Sequence, residues 1–332
     1  MSNYITRNHE EDGVDRRGFL ECMAWAGTGL LWSLTGGVAR SQPMHGARSA
    51  HGGFSFVQIS DSHIGFSKEA NKDVVGTLRE AVARINALPE PPAFLIHTGD
   101  ISHLSKPEEF DTVDQILKSA KVGQNLFVPG EHDVLVGNGK QYLERYGKST
   151  TGCGWFSFDQ NGVHFAGLVN VLHFKAGLGA LGSEQLEWLE NDLRARSSDT
   201  PIVVFAHVPL WTVYADWGWG TEDGMQALSY LKRFGSVTIL NGHIHQTLQK
   251  IEGNFTFHTA MSTAFPQPKP GTAASPGPLK VPAEQLRSML GLTEVRYVQG
   301  KHALAIVDSN LADSSPAKTE RSFDGRMRGS AS

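Results

Sequence analysis

Apolar residues along this chain fall into two rhythms that alternate. Within 71–88 they recur as Val74, Val75, Leu78, Val82, Ile85 and Leu88, the three-to-four spacing of one buried helical face. Similar spacing predicts helices over 107–120, where Pro107 suits a first turn, over 183–196, and over 225–234. In the helix over 183–196, Leu186, Trp188, Leu189 and Leu193 face inward, and the Ser183 hydroxyl is expected to cap the N-terminus. Short apolar or alternating runs predict strands at 54–60, 93–97, 125–128, 202–206 and 237–240, and further strands at 247–252, 255–259, 294–299 and 303–308. Asn161-Gly162 between 154–160 and 163–168 is a hairpin signal. Strands and helices taking turns point to an α/β fold. The Pro- and Gly-rich stretch 266–282 reads as an irregular loop.

Composition narrows the picture modestly. With 332 residues, 40% of them hydrophobic, the chain can bury a full core without disulfide staples. A formal net charge of -4 gives no strong signal for nucleic acid. The N-terminus changes more. Arg16-Arg17-Gly18-Phe19-Leu20 precedes a weakly apolar stretch at 23–39, short for a membrane span of ~20 residues. It resembles a twin-arginine export signal, departing from that pattern at Asp15 and Glu21. The expected division is a signal at 1–40, a linker at 41–52, a catalytic domain at 53–310 and a polar, disordered tail at 311–332. The resemblance implies the twin-arginine translocase as a partner, a periplasmic or secreted location, and no stable membrane span after processing. Of the two cysteines, Cys22 falls in the expected signal, which leaves Cys153 without an intrachain partner.

The chemistry sits where the strands end. Asp61 and His63 follow the first strand, Asp100 the second, Glu131 and His132 the third, His207 a later one, and His243 and His245 the next. Open α/β sheets bind ligands at the carboxyl ends of their strands. Residues i and i+2 of an extended chain point the same way, so Asp61/His63 and His243/His245 are each expected to grip one centre. Carboxylate and imidazole together suit Mn, Fe, Zn or Ni.

These residues stand in the motifs Asp61-Ser62-His63, Gly99-Asp100, Gly130-Glu131-His132-Asp133, Ala206-His207-Val208-Pro209 and Gly242-His243-Ile244-His245. The series resembles the calcineurin-like metallophosphoesterases, and 85–88 and 186–189 look most like their cyclic-nucleotide-phosphodiesterase-like branch. The resemblance implies a four-layer α/β/β/α sandwich of two mixed sheets flanked by helices. It also implies two divalent metal ions as cofactors. Asp61, His63, Asp100 and His245 would hold one, Asp100, Glu131, His207 and His243 the other, and Asp100 would bridge. The implied activity is hydrolysis of small phosphomonoesters or phosphodiesters by a metal-bridging hydroxide. His132 would assist the leaving group and bind substrate, and Asp133 would orient His132. Alternatives are a cyclic-nucleotide phosphodiesterase, and a non-catalytic metal- or phosphate-binding protein on a degenerate fold.

Glu131 stands where the family pattern has Asn. An anionic ligand there is expected to hold metal more tightly, weaken its Lewis acidity, and favour a monoanionic diester over a dianionic monoester. The opposing reading is that Glu131 turns away from the site. His103, just past Asp100, is a further candidate for substrate contact. So are Trp211 and Tyr214, which lie with Trp217 and Trp219 in one loop after His207 and would wall a pocket.

Overall fold

The computed structural model describes residues 30–35, 38–43, 53–173, 177–298 and 304–313. The Arg16-Arg17 motif and the tail beyond residue 313 lie outside the described residues. Leu30–Thr35 (β1) and Val38–Pro43 (β2), within the stretch read as signal and linker, pair antiparallel as a two-stranded sheet. Among the described residues, no helix is long and apolar enough to cross a membrane.

Two larger sheets follow from strands that must be buried on both faces. In β3 (Phe54–Ile59), Phe56 enters one apolar cluster while Val57 and Ile59 enter another, because successive side chains leave a strand on opposite faces. β4 (Leu95–His97) and β5 (Asn125–Phe127) extend that sheet in parallel. β6 (Phe156–Gln160), β7 (Val163–Gly167), β8 (Ile202–Phe205), β9 (Val237–Asn241), β10 (Gln249–Glu252) and β11 (Phe255–Thr259) form the second sheet, in the order β10-β11-β9-β8-β7-β6. β12 (Gly291–Tyr297) and β13 (Ala305–Asn310) return antiparallel to complete the first, ordered β13-β12-β3-β4-β5.

Phe56, Phe94, Phe165 and Phe205 form the layer between the sheets, with Phe56 and Phe94 stacked at 4.6 Å. Fully burying each such ring contributes about 2–3 kcal/mol gross. Helices α1 (Val74–Asn86) and α2 (Pro107–Leu117) cover the outer face of the five-stranded sheet. The smaller α3 (Lys140–Tyr146) joins them through Tyr142. α4 (Ser183–Arg194) and α5 (Gly224–Leu231) cover the outer face of the six-stranded one. The short α6 (Ala283–Leu286) packs beside α1 through Leu286 and Ala81. The order of layers is helix, sheet, sheet, helix, as expected from the sequence.

Local details refine the expectations. Asn161 and Gly162 both take positive φ, 51° and 83°, the turn that matches the twist of a hairpin. Ser183 does not cap α4; the carboxylate of Asp223 accepts from the amides of Leu181 and Gly182 instead. Leu311, assigned to the tail, is buried, and its amide donates to Leu290 O. Two buried histidines outside the strand-end series serve as ties. His164 lies between Asp159 and Asp192, 2.8 and 2.7 Å away, joining the β6–β7 hairpin to α4. His258 on β11 meets Asp308 on β13 at 2.9 Å, joining the two sheets.

Candidate metal centre

The carboxyl ends of β3, β4, β5, β8 and β9 converge, and the strand-end side chains meet there. The backbone turns sharply to bring them in. Asp61, His63, Asp100, His243 and His245 all have positive φ, between 41° and 70°. A non-glycine residue so held costs about 1–3 kcal/mol and persists only where its surroundings enforce it. The enforcement is visible. Asp61 and His63 amides donate to Gly99 O and Asp100 O, and Ser262 Oγ donates to Asp61 O at 2.7 Å. Ser62 Oγ donates to Ile101 O, which leaves it to accept from Nε2 of the buried His97, 2.8 Å away. Glycine is needed where the loops touch. Gly99 has φ +97°, and a Cβ there would strike the ring of His207; one at Gly130 would fall on the Asp100 carboxylate.

The ligand atoms sort into two groups around Asp100. In the first, His245 Nε2 lies 3.2 Å from both Asp61 Oδ1 and His63 Nε2, and His63 Nε2 lies 3.4 Å from Asp100 Oδ2. In the second, Glu131 Oε2 is 2.8 Å from His207 Nε2, and Glu131 Oε1 is 3.0 Å from His243 Nδ1. His207 Nε2 is 3.5 Å from the same Asp100 Oδ2. Glu131 faces the site and does not turn away. Asp61 and His63 share a group, as expected. His243 and His245 do not: the first meets Glu131 and the second Asp61.

Hydrogen bonds to carbonyls fix how the imidazoles present themselves. His207 Nδ1 bonds Thr98 O at 2.7 Å, and His245 Nδ1 bonds Phe265 O at 2.6 Å. A carbonyl only accepts, so each Nδ1 carries a proton and each ring turns its Nε2 into the site. Burial, then the neighbouring imidazoles of His245, His132 and His103, holds His63 well below the ordinary histidine value, which keeps it an unprotonated donor. Burial opposes ionisation of Asp61 and Glu131. Their histidine neighbours outweigh it and hold both carboxyls below the usual range.

These atoms fit a metal better than they fit each other. Glu131 Oε2, His207 Nε2 and His243 Nδ1 are buried and approach closely, yet none has the alignment of a hydrogen bond. A lone pair of His207 aimed at a carboxylate oxygen is favourable only with a proton or a metal cation between them. Ligand atoms at about 2.0–2.2 Å from one ion lie about 3.0–3.5 Å from each other, close to the spacings seen here.

His132 sits beside the groups. Its amide donates to Asp100 Oδ1 at 2.9 Å, and its Nδ1 is held by His103 O at 2.7 Å. Burial disfavours its charged form, but the carboxylates of Asp100 and Glu131 outweigh that and lift His132 above the ordinary histidine value. Asp133 does not orient it. The Asp133 carboxylate accepts from the amides of Ile101, Ser102 and Gly130 and from Ser102 Oγ, clamping the loops after β4 and β5 together. Burial and the nearby Asp100 push Asp133 up to about 7 despite those donors. It is a positioning residue, too deep to touch a reacting atom.

His103 does join the cluster: its Nδ1 is 3.3 Å from His63 Nδ1 and its ring stacks on His132 at 4.8 Å. Burial, with His132 beside it, brings it down to about 4. Trp211 and Tyr214 do not. Trp211 packs on Phe257 in the helix-covered core of the six-stranded sheet, and Tyr214 stacks edge-on to Trp217, which meets Trp219. The loop folds on itself, and its rings pack on one another and on Phe257. Residues that the sequence did not single out take part instead. Phe265 stacks on His63 at 4.8 Å, Glu109 accepts from the amides of His103, Leu104 and Lys106, and Gln267 Nε2 bonds His243 O.

A family model described as calcineurin-like phosphoesterase matches residues 54–247, the span that carries every ligand motif. The chain belongs to the calcineurin-like phosphoesterase family. Among curated relatives of this calcineurin-like chain is a 3',5'-cyclic-nucleotide phosphodiesterase of Nostoc sp., 24% identical over 64% of this chain and 79% of the relative. Another is a glycerophosphodiester phosphodiesterase of Enterobacter lignolyticus, 27% identical over 63% of this chain and 77% of the relative. A dimetal phosphatase from Danio rerio shares the fold with a TM-score of 0.59 at 15% identity, over 78% of this chain and 98% of that one.

Proposed function

We propose that this chain is a metal-dependent phosphoesterase whose preferred substrates are small phosphodiesters. The observation that carries the proposal is the pair of ligand groups meeting at one oxygen of Asp100, 3.4 Å from His63 Nε2 and 3.5 Å from His207 Nε2. Asp61, His63, Asp100 and His245 would hold one divalent ion, and Asp100, Glu131, His207 and His243 the other. A bound pair of such ions supplies Lewis acidity and a nucleophilic water at neutral pH.

The chain's own residues do the rest. Asp100 Oδ2 sets the spacing of the two groups, while its Oδ1 fixes the amide of His132. The carbonyl of His103 holds the His132 proton on Nδ1, which leaves Nε2 free to carry a second proton toward a departing oxygen. Phe66 and Phe265, tilted against each other at 4.3 Å beside His103 and His63, shield the first group from solvent.

The preference for diesters rests on charge. Asp61, Asp100 and Glu131 are three carboxylates against two divalent ions, so the loaded centre has only about +1 to attract a phosphate. A dianionic monoester depends on that attraction more than a monoanionic diester does. Two of the relatives named above are phosphodiesterases, which supports the same reading. Purified protein, loaded with Mn, Zn, Ni or Fe in turn, is expected to hydrolyse bis(p-nitrophenyl) phosphate with a higher kcat/KM than p-nitrophenyl phosphate. A monoester preference with every metal would refute the diester assignment. Bound metal with no turnover of either ester would favour the non-catalytic alternative.

A further inference from the structure

We infer that Glu131 makes the two metal groups equal in anionic charge, so that both hold an ion with comparable strength. This rests on the dinuclear reading above and adds to it an order of affinities. Each group has two imidazoles, the shared Asp100 and one carboxylate of its own, Asp61 in the first and Glu131 in the second. Each private carboxylate meets a histidine of its own group: Asp61 Oδ1 is 3.2 Å from His245 Nε2, and Glu131 Oε2 is 2.8 Å from His207 Nε2, while Asp61 also accepts from the His243 amide. The shared oxygen of Asp100 favours neither side, at 3.4 and 3.5 Å.

Glu131 is fixed in this role by its backbone. The amide of Gly130 is held by Asp133 and that of His132 by Asp100, so both neighbours of Glu131 are tied down. Its side chain uses both oxygens, one toward each histidine of the group, and buries Oε2 with no hydrogen bond. A buried carboxylate oxygen left without a donor is costly, and a coordinated cation is the partner that the three orphaned atoms of this group share. An amide at this position would keep the shape and remove the charge. The first group would then retain two carboxylates and the second only the shared one.

The test is metal binding by the full chain, read by elemental analysis after dialysis and by calorimetric titration with Mn or Zn. The native protein is expected to retain two equivalents whose affinities lie within about tenfold of each other. Glu131→Gln is expected to weaken one equivalent by about tenfold to a hundredfold and spare the other. Asp61→Asn is the matched control and should weaken one equivalent to a similar degree. Glu131→Asn provides a second neutral variant should Glu131→Gln fail to fold, as judged by circular dichroism and melting. Neutral variants that hold two ions as tightly as the native protein would overturn the role of Glu131 alone. A native protein whose second ion binds a hundredfold more weakly than its first would overturn the equality. A native protein that binds no metal would overturn the dinuclear reading together with this inference.

Discussion

Asp100→Asn is expected to lower kcat/KM by on the order of a thousandfold for any phosphate ester, and to lose metal from both groups. The side chain is the one ligand common to the two clusters, and its Oδ2 faces Nε2 of both His63 and His207. Asn has the same shape but lacks the negative charge that both ions would share. Its amide nitrogen would either face two imidazole lone pairs or displace the oxygen that receives the His132 amide. Metal-ion catalysis supplies several kcal/mol of transition-state stabilisation, and each 1.36 kcal/mol is tenfold in rate. Losing about 4 kcal/mol therefore gives the thousandfold figure. Steady-state kinetics beside elemental analysis provides the check. A variant that kept more than a tenth of native activity with full metal content would contradict the bridging role.

The second large effect is at His132. His132→Ala is expected to reduce kcat by about 10²–10⁴-fold for an ester of a poor leaving group. Metal content should be unchanged, because the contact with Asp100 is made by the backbone amide, which Ala retains. The loss should shrink with a nitrophenyl ester, whose leaving group departs as a stable anion and needs little protonation. Nearby carboxylates raise the folded-state value of His132, so its proton is present below that value and lost as pH rises through it. Bound cations act in the opposite direction and move this limb toward lower pH. The alkaline fall in the native kcat profile should accordingly be absent from the variant. Equal losses on good and poor leaving groups would show that His132 positions phosphate and does not donate a proton.

The sequence was most informative where chemistry and topology coincide. Metal-capable residues at the ends of successive strands can be read from spacing, since parallel strands deliver their carboxyl ends to one edge. The inter-sheet core was legible too, in runs such as Ile202–Phe205 that are apolar on both faces. Other features left weaker traces. Left-handed backbone at Asp61, His63, Asp100, His243 and His245 depends on distant carbonyls and hydroxyls, and only the glycines at 99, 130 and 242 hinted at the crowding. The carbonyls of Thr98, His103 and Phe265 that set the tautomers have no signature at all, because every residue has a carbonyl.

The aromatic loop after His207 misled for a physical reason. Density of Trp and Tyr reports that a segment will be buried, but not on which side of a sheet. α3 escaped notice because it is seven residues long and only Tyr142 in it is buried. The family resemblance implied that Asp133 orients His132, and its carboxylate instead clamps the loops after β4 and β5. The short turn at 131–133 sends the two side chains in different directions, one toward the cluster and one beneath it.

The most direct test of the central claim is to strip the purified protein with chelator and titrate metal back while following hydrolysis of bis(p-nitrophenyl) phosphate. The account predicts no turnover without metal and activity that rises until two equivalents per chain are bound. Full activity at one equivalent, or turnover that survives complete removal of metal, would contradict it.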